Sequence, residues 1–220
     1  MTVTPGVDVW WTRGSEMVAT SDAQIHCRAG SVVAGIPPSW RSGSRRQLLD
    51  TAITKYAKKG GAVMLPSGHQ FSLSDSGYHL AVGVGRHVPL GLDIERQRPV
   101  DDALPTLRRL GLASLATRLG ELAPAARNRA FLGVWTAFEA FLKLERLKWE
   151  AGAERFAAMA PYWVVGASGT VEFRGSDRVG VFFTQTEVPG EINITAATPR
   201  PVAVDIQRIN VALRARIATL

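Results

Sequence analysis

The sequence predicts an α+β fold made of two similar halves, each a small sheet packed with a long helix. Three observations carry the prediction. Short alternating or β-branched runs recur throughout the chain. One helix-period segment falls in each half. An eight-residue echo links the halves: Pro89-Leu-Gly-Leu-Asp93-Ile-Glu95-Arg96 against Pro201-Val-Ala-Val-Asp205-Ile-Gln207-Arg208. Coincidence is the competing explanation of so short an echo. If it is a duplication, only the first copy keeps both carboxylates. The halves are read as residues 1–100 and 101–220.

In chain order, Val7 to Val33 reads as short strands and loops. Trp10-Trp11 in this stretch reads as core. Pro37-Pro38-Ser39 stops the chain ahead of a helix from about Trp40 to Ala57, in which Leu48, Leu49, Ala52, Ile53 and Tyr56 recur at helical spacing. Lys58-Lys59-Gly60-Gly61 ends it. Phe71 to Leu73 reads as a short strand, and Ser74-Asp75-Ser76-Gly77 as a polar turn. Tyr78 to Val84 and Val88 to Glu95 read as two strands of a hairpin turning at Gly85-Arg86-His87.

Short helices are expected over 101–126, then a long helix from about Ala126 to Trp149. Phe131, Trp135, Phe138 and Leu142 step along it as one apolar stripe. Beyond Gly152, strands are expected at Tyr162–Val165, Thr170–Phe173, Val179–Thr184, Glu191–Ala197 and Val202–Ile206.

With 220 residues and 46% hydrophobic content, the chain can bury a core without disulfides, and its single cysteine, Cys27, allows none internally. No basic-then-apolar leader opens it, and no apolar run approaches the roughly 20 residues that span a bilayer. A soluble, reducing, cytoplasmic setting follows as the expectation, with no membrane partner. The formal net charge is +7, with both halves basic. Such a balance suits phosphate-bearing ligands or acidic protein partners, and equally nucleic acid or mere solubility. No nucleic-acid motif accompanies the charge, and the four histidines lack metal spacing.

Alternation places Leu90, Leu92 and Ile94 on one strand face and Gly91, Asp93 and Glu95 on the other. Two carboxylates so placed repel each other. The ordinary reading is that both point into solvent; the alternative is a hard divalent cation, which takes anionic oxygen ligands. Gly91 beside them would leave room for a ligand. On the long helix Glu139 and Lys143 stand one turn apart beside the apolar stripe. They are either a surface pair stabilising by about 0.2–0.5 kcal/mol, or a third carboxylate and a cation aimed at one metal-bound phosphate.

Taken together, Phe71-Ser-Leu-Ser74-Asp75-Ser76-Gly77, Gly91-Leu-Asp93-Ile-Glu95 and Trp135-Thr-Ala-Phe-Glu139-Ala-Phe-Leu-Lys143 resemble the 4'-phosphopantetheinyl transferases. The closest type is the long, monomeric, pseudo-dimeric one that activates carrier proteins of fatty-acid, polyketide and peptide synthases. Arg45-Arg46-Gln47-Leu48-Leu49 resembles the family's Arg-x-Leu-Leu helix. The matching segments run from about residue 40 to 150.

The resemblance implies transfer of phosphopantetheine from coenzyme A to a carrier-protein serine, with release of 3',5'-ADP. It implies magnesium on Asp93, Glu95 and Glu139, with Glu139 and Lys143 catalytic. Coenzyme A would be held by Arg41, Arg45, Arg46, Ser74, Asp75 and Lys143, the arginines meeting its 3'-phosphate. The expected partner is an acidic acyl or peptidyl carrier protein. Three positions depart from the family pattern. Asp75 stands where the family often has histidine, and Phe138 where it commonly has lysine. The Gly-Lys-Pro turn is absent, Lys58 or Lys59 being the available replacements. They suggest a second reading, an impaired relative that binds coenzyme A or a carrier protein without turnover.

Overall fold

The computed structural model describes residues 6–13, 63–64, 69–77 and 79–208. Within them the fold is α+β, as expected. In chain order it runs β1 (Gly6–Arg13), β2 (Val63–Met64), β3 (His69–Ser76), β4 (His79–Arg86), β5 (Gly91–Arg96), α1 (Ala103–Arg109), α2 (Ala113–Gly120), α3 (Pro124–Glu145), α4 (Trp149–Ala157), β6 (Trp163–Val165), β7 (Val171–Phe173), α5 (Ser176–Val179), β8 (Phe182–Val188), β9 (Ile192–Thr198) and β10 (Ala203–Arg208). The helix expected over 40–57 lies outside the described residues, and with it the helical part of the expected likeness between halves.

Three sheets form. One is five-stranded, in the order β10-β1-β4-β3-β2; one is three-stranded, β5-β9-β8; β6 and β7 form a ribbon. β1 pairs parallel with β10, and β5 pairs antiparallel with β9. Both larger sheets therefore draw strands from either side of residue 100. The two echoing segments become β5 and β10, each at the edge of its own sheet.

The three-stranded sheet is the middle layer. Leu92 and Ile94 of β5, with Ile194 and Ala196 of β9, pack against Val7, Val9 and Trp11 of β1 in one buried cluster, and Val204 and Ile206 of β10 close its side. The opposite face lies under α3. Helix α3 is buried almost all round, from Ala130 through Leu144, so it is a central helix rather than one with a single apolar stripe. Beyond it, Phe138, Phe141, Phe156 and Trp163 form an aromatic core with α1, α2 and α4. Phe138, the departure from the family's lysine, is completely buried there, packed edge-on against Trp149 and Phe156.

Several sequence expectations are corrected. β4 and β5 do not form a hairpin: the chain leaves the five-stranded sheet at His87 (φ 55°) and β5 pairs with β9 instead. β3 extends through Ser76, and the turn that follows includes Gly77 (φ 59°). The long helix ends at Glu145, because Arg146 takes the left-handed conformation (φ 55°) and its N–H returns to the Leu142 carbonyl. Trp149 consequently opens α4, a helix the sequence reading did not anticipate. Residues 176–179 are a short helix, and the following strand begins at Phe182. Among the described residues no helix is long and apolar enough to cross a membrane.

Candidate functional site

Strand β5 has one edge paired to β9, and among the described residues no strand pairs with the other. An unpaired edge exposes backbone donors and acceptors that need partners. Alternate side chains of β3 supply them. Gln70 donates Nε2 to the Leu90 carbonyl at 2.8 Å. Ser72, Ser74 and Ser76 accept the N–H groups of Leu92 (2.9 Å), Ile94 (3.3 Å) and Arg96 (3.0 Å). The hydroxyls work in both directions. Ser74 donates to Asp93 Oδ1 and Ser76 to Glu95 Oε2, each at 2.6 Å. One polar row on β3 thus closes the edge of β5 and fixes both of its carboxylates.

The other component is α3. A Cβ on Gly91 would come within 1.9 Å of the Ala140 carbonyl and 2.6 Å of the Leu144 N. No side chain fits at that distance, so glycine is what lets helix and strand backbones touch. This corrects the expectation that Gly91 makes room for a ligand; it makes room for the helix. The close approach brings Lys143 onto β5. Its Nζ donates to Asp93 Oδ1 (2.8 Å), the Leu92 carbonyl (2.9 Å) and Ser74 Oγ (3.0 Å). An ammonium has three donors, and all three are satisfied by protein.

Asp93 is 5% exposed, and its Oδ2 is buried with no hydrogen-bond partner. Leaving one oxygen of a buried carboxylate unmet is costly. Its carboxyl is pushed above the ordinary range by burial, against the pull of Lys143 and Ser74. Glu95 is raised chiefly by burial, opposed by the Ser76 bond, and raised further by the charge of Asp93; Arg98 and the Trp135 side chain pull the other way. Glu139 is raised by burial first, then by Asp93, with Lys143 opposing and Glu95 adding. The three carboxylates therefore feel one another across a strand and a helix.

Among the described residues no three histidine, cysteine or acidic side chains close on one point as a finished metal cage. What the site offers is one buried carboxylate with an orphaned oxygen, Asp93, and two half-buried ones, Glu95 and Glu139, which feel its charge. That donor set fits a hard divalent cation, which takes oxygen ligands and keeps waters. A bound cation would also favour the charged forms that burial and mutual repulsion now disfavour.

Asp93, Glu95, Glu139, Lys143 and Ser74 are thus brought together. Asp75 is not: it is exposed, and strand alternation turns it to the face of β3 opposite Ser74 and Ser76. Arg41, Arg45 and Arg46 lie outside the described residues. In the second echo, Asp205 and Gln207 hydrogen-bond each other on exposed β10. The sequence reading missed Gln70, Ser72 and Ser76. Their signal was the strict polar–apolar alternation of Gln70-Phe71-Ser72-Leu73-Ser74.

Two polar residues extend the site across the sheet. Asn193 lies opposite Glu95 in register, and Thr195 opposite Asp93. Thr195 and Thr136 share a 2.7 Å hydroxyl contact, so α3 is tied to β9 by a buried hydrogen bond as well as by packing. Compared with known protein families and with curated proteins, the chain matches no family model and no curated protein.

Proposed function

We propose that the protein transfers 4'-phosphopantetheine from coenzyme A to a serine of an apo acyl or peptidyl carrier protein, as a magnesium-dependent holo-carrier-protein synthase. The observation that carries this reading is the cluster of Asp93, Glu95 and Glu139, gathered from β5 and α3, with Asp93 Oδ2 buried and unbonded. Its sequence setting is the Gly-x-Asp-x-Glu and Trp-x-x-x-Glu-Ala-x-x-Lys pair. Asp93, Glu95 and Glu139 would hold magnesium, which when bound neutralises charge on a pyrophosphate and orients its displacement.

The residues of the chain divide the remaining work. Glu139 is assigned as the proton acceptor: a bound cation would keep its carboxyl ionised, and an ionised carboxylate beside the phosphate locus can accept a proton. It takes the proton of the carrier serine as that oxygen bonds to the β-phosphorus of coenzyme A. The bond from that phosphorus to the bridging oxygen breaks, and 3',5'-ADP leaves. Lys143 and Ser74 position Asp93. The ammonium also sets a fixed positive charge beside the phosphate locus. Arg41, Arg45 and Arg46 are assigned to the 3'-phosphate, since guanidinium suits two-pronged phosphate contact. The setting is taken as cytoplasmic and the working form as a monomer.

One observation favours the second reading, a relative that binds coenzyme A or a carrier without turnover: all three donors of Lys143 are spent within the protein. Incubating the protein with coenzyme A, magnesium and apo carrier proteins separates the two. Transfer supports the enzyme; coenzyme A binding without transfer supports the impaired relative.

A further inference from the structure

Asp93 is held by Ser74 and Lys143 and Glu95 by Ser76, but among the described residues no hydrogen bond reaches the carboxyl of Glu139. Its place is therefore set by where α3 lies on the sheet. Asp93, Thr195 and Gln185 form one row across that sheet, in register on β5, β9 and β8, and residues so paired share a face. Gln185 donates Nε2 to the Gly133 carbonyl of α3 (2.7 Å) and to Thr195 Oγ1 (3.2 Å). Thr136 Oγ1 donates to the same carbonyl (3.1 Å), which leaves Thr195 as the donor across the 2.7 Å between the two hydroxyls. These four bonds close into a ring that joins β8, β9 and α3. Both threonines are completely buried.

Spacing along α3 gives the ring its consequence. Thr136 stands three residues before Glu139, so the two are neighbours on the helix surface, about 4.5 Å apart along the axis at 1.5 Å per residue. On the other side of Glu139, Gly91 lets β5 touch the backbone at Ala140 and Leu144, and Lys143 bonds Asp93 and the Leu92 carbonyl. The helix is thus pinned to the sheet both before and after Glu139. Packing at Gly91 sets how close the helix comes. The ring, whose bonds are directional, resists its sliding and rotation.

We infer that Thr136, Thr195 and Gln185 are positioning residues for Glu139: their hydrogen-bonded ring holds α3 at the register in which Glu139 can share one divalent cation with Asp93 and Glu95. The inference rests on the cation site of the reading above and adds what places its third carboxylate. None of the three residues is a cation ligand in this assignment. They act on the cation through the helix, as outer residues that orient metal ligands do.

The test is the affinity of the full chain for magnesium, measured by calorimetric titration with neither coenzyme A nor carrier present. Thr195→Val takes the hydroxyl out of the ring and keeps the branched side chain; Thr195→Ser keeps the hydroxyl. Thr106→Val is the control, since Thr106 is also a buried, hydrogen-bonded threonine but lies on α1, bonded to Asp102 and Arg109. Thr195→Val is expected to weaken magnesium about tenfold or more, with Thr195→Ser and Thr106→Val within about twofold of wild type. A folded Thr195→Val that binds magnesium as wild type does overturns the positioning role while leaving the cation site standing. So does a serine variant as weak as the valine one, or an equal loss in Thr106→Val. A wild-type protein that binds no magnesium sinks the cation site, and this inference with it. Circular dichroism verifies each fold; should Thr195→Val not fold, Gln185→Leu, at a half-buried position, breaks the ring from its other end and decides by the same titration.

Discussion

Replacing Lys143 with methionine keeps the length of the side chain and removes its charge. The loss falls on three bonds, to Asp93 Oδ1, the Leu92 carbonyl and Ser74 Oγ. The Lys143 side chain is 16% exposed and that of Asp93 only 7%, so water does not replace the missing ammonium. Asp93 would keep a single side-chain donor, Ser74, with Oδ2 already unmet. Breaking a buried ion pair from one side costs about 3–5 kcal/mol. In a chain of this size that lowers Tm by roughly 6–20 °C, at about 2–4 °C per kcal/mol.

The loss must also depend on pH. Burial already raises the Asp93 carboxyl above its unfolded value, and removing the ammonium raises it further. A carboxyl raised on folding favours the protonated native state. Its stability is fully present below the unfolded pKa and is lost as pH rises through the folded one. Lys143→Met should therefore be mild near pH 5 and severe near pH 7.5, and adding Asp93→Asn should restore much of the loss. Urea titrations at both pH values, without divalent metal, provide the assay. Equal losses at the two pH values, or no loss at neutral pH, would refute the reasoning about this ion pair.

Other consequences follow from the same geometry. Gly91→Ala forces a methyl group into the Ala140 carbonyl; overpacking of this kind costs about 1–3 kcal/mol or more, and an unchanged Tm would mean the helix and strand are not so tightly joined. Metal-free wild-type protein should lose stability as pH rises from the ordinary carboxylate range through the raised pKa values of Asp93, Glu95 and Glu139. Magnesium at a hundred times its Kd should restore about 2.7 kcal/mol near neutral pH and less near pH 5; Glu139→Gln should blunt that gain, and a magnesium effect independent of pH would count against the carboxylate site. Replacing Arg45 and Arg46 with alanine should weaken coenzyme A much more than 3'-dephospho-coenzyme A, whereas equal losses would remove them from the 3'-phosphate.

Much of the site could be read locally. The alternation of Leu90 to Glu95 put Asp93 and Glu95 on one strand face, and one helical turn joined Glu139 to Lys143. Both are short-range periodicities, set by backbone geometry alone. What escaped was long-range. The pairing of Asp93 with Thr195 and of Glu95 with Asn193 joins residues about a hundred positions apart, and nothing local announces it. The Ser-Asp-Ser-Gly run was read as a turn because those residues favour turns. Here Ser72, Ser74 and Ser76 bond the free edge of β5, and those bonds hold the chain extended. Gly91 was read for the space it opens, when the helix fills that space. The end of α3 was missed because Arg146, rather than glycine or asparagine, takes the left-handed position.

The most direct test of the central claim is intact-mass analysis of apo carrier proteins after incubation with coenzyme A and magnesium. Wild-type protein is expected to add one phosphopantetheine to a carrier serine, and to stop doing so in excess chelator or when Asp93 is replaced by alanine in a folded variant. A panel of apo carriers that keep their starting mass would contradict the account. Transfer undiminished by chelator would contradict its metal site.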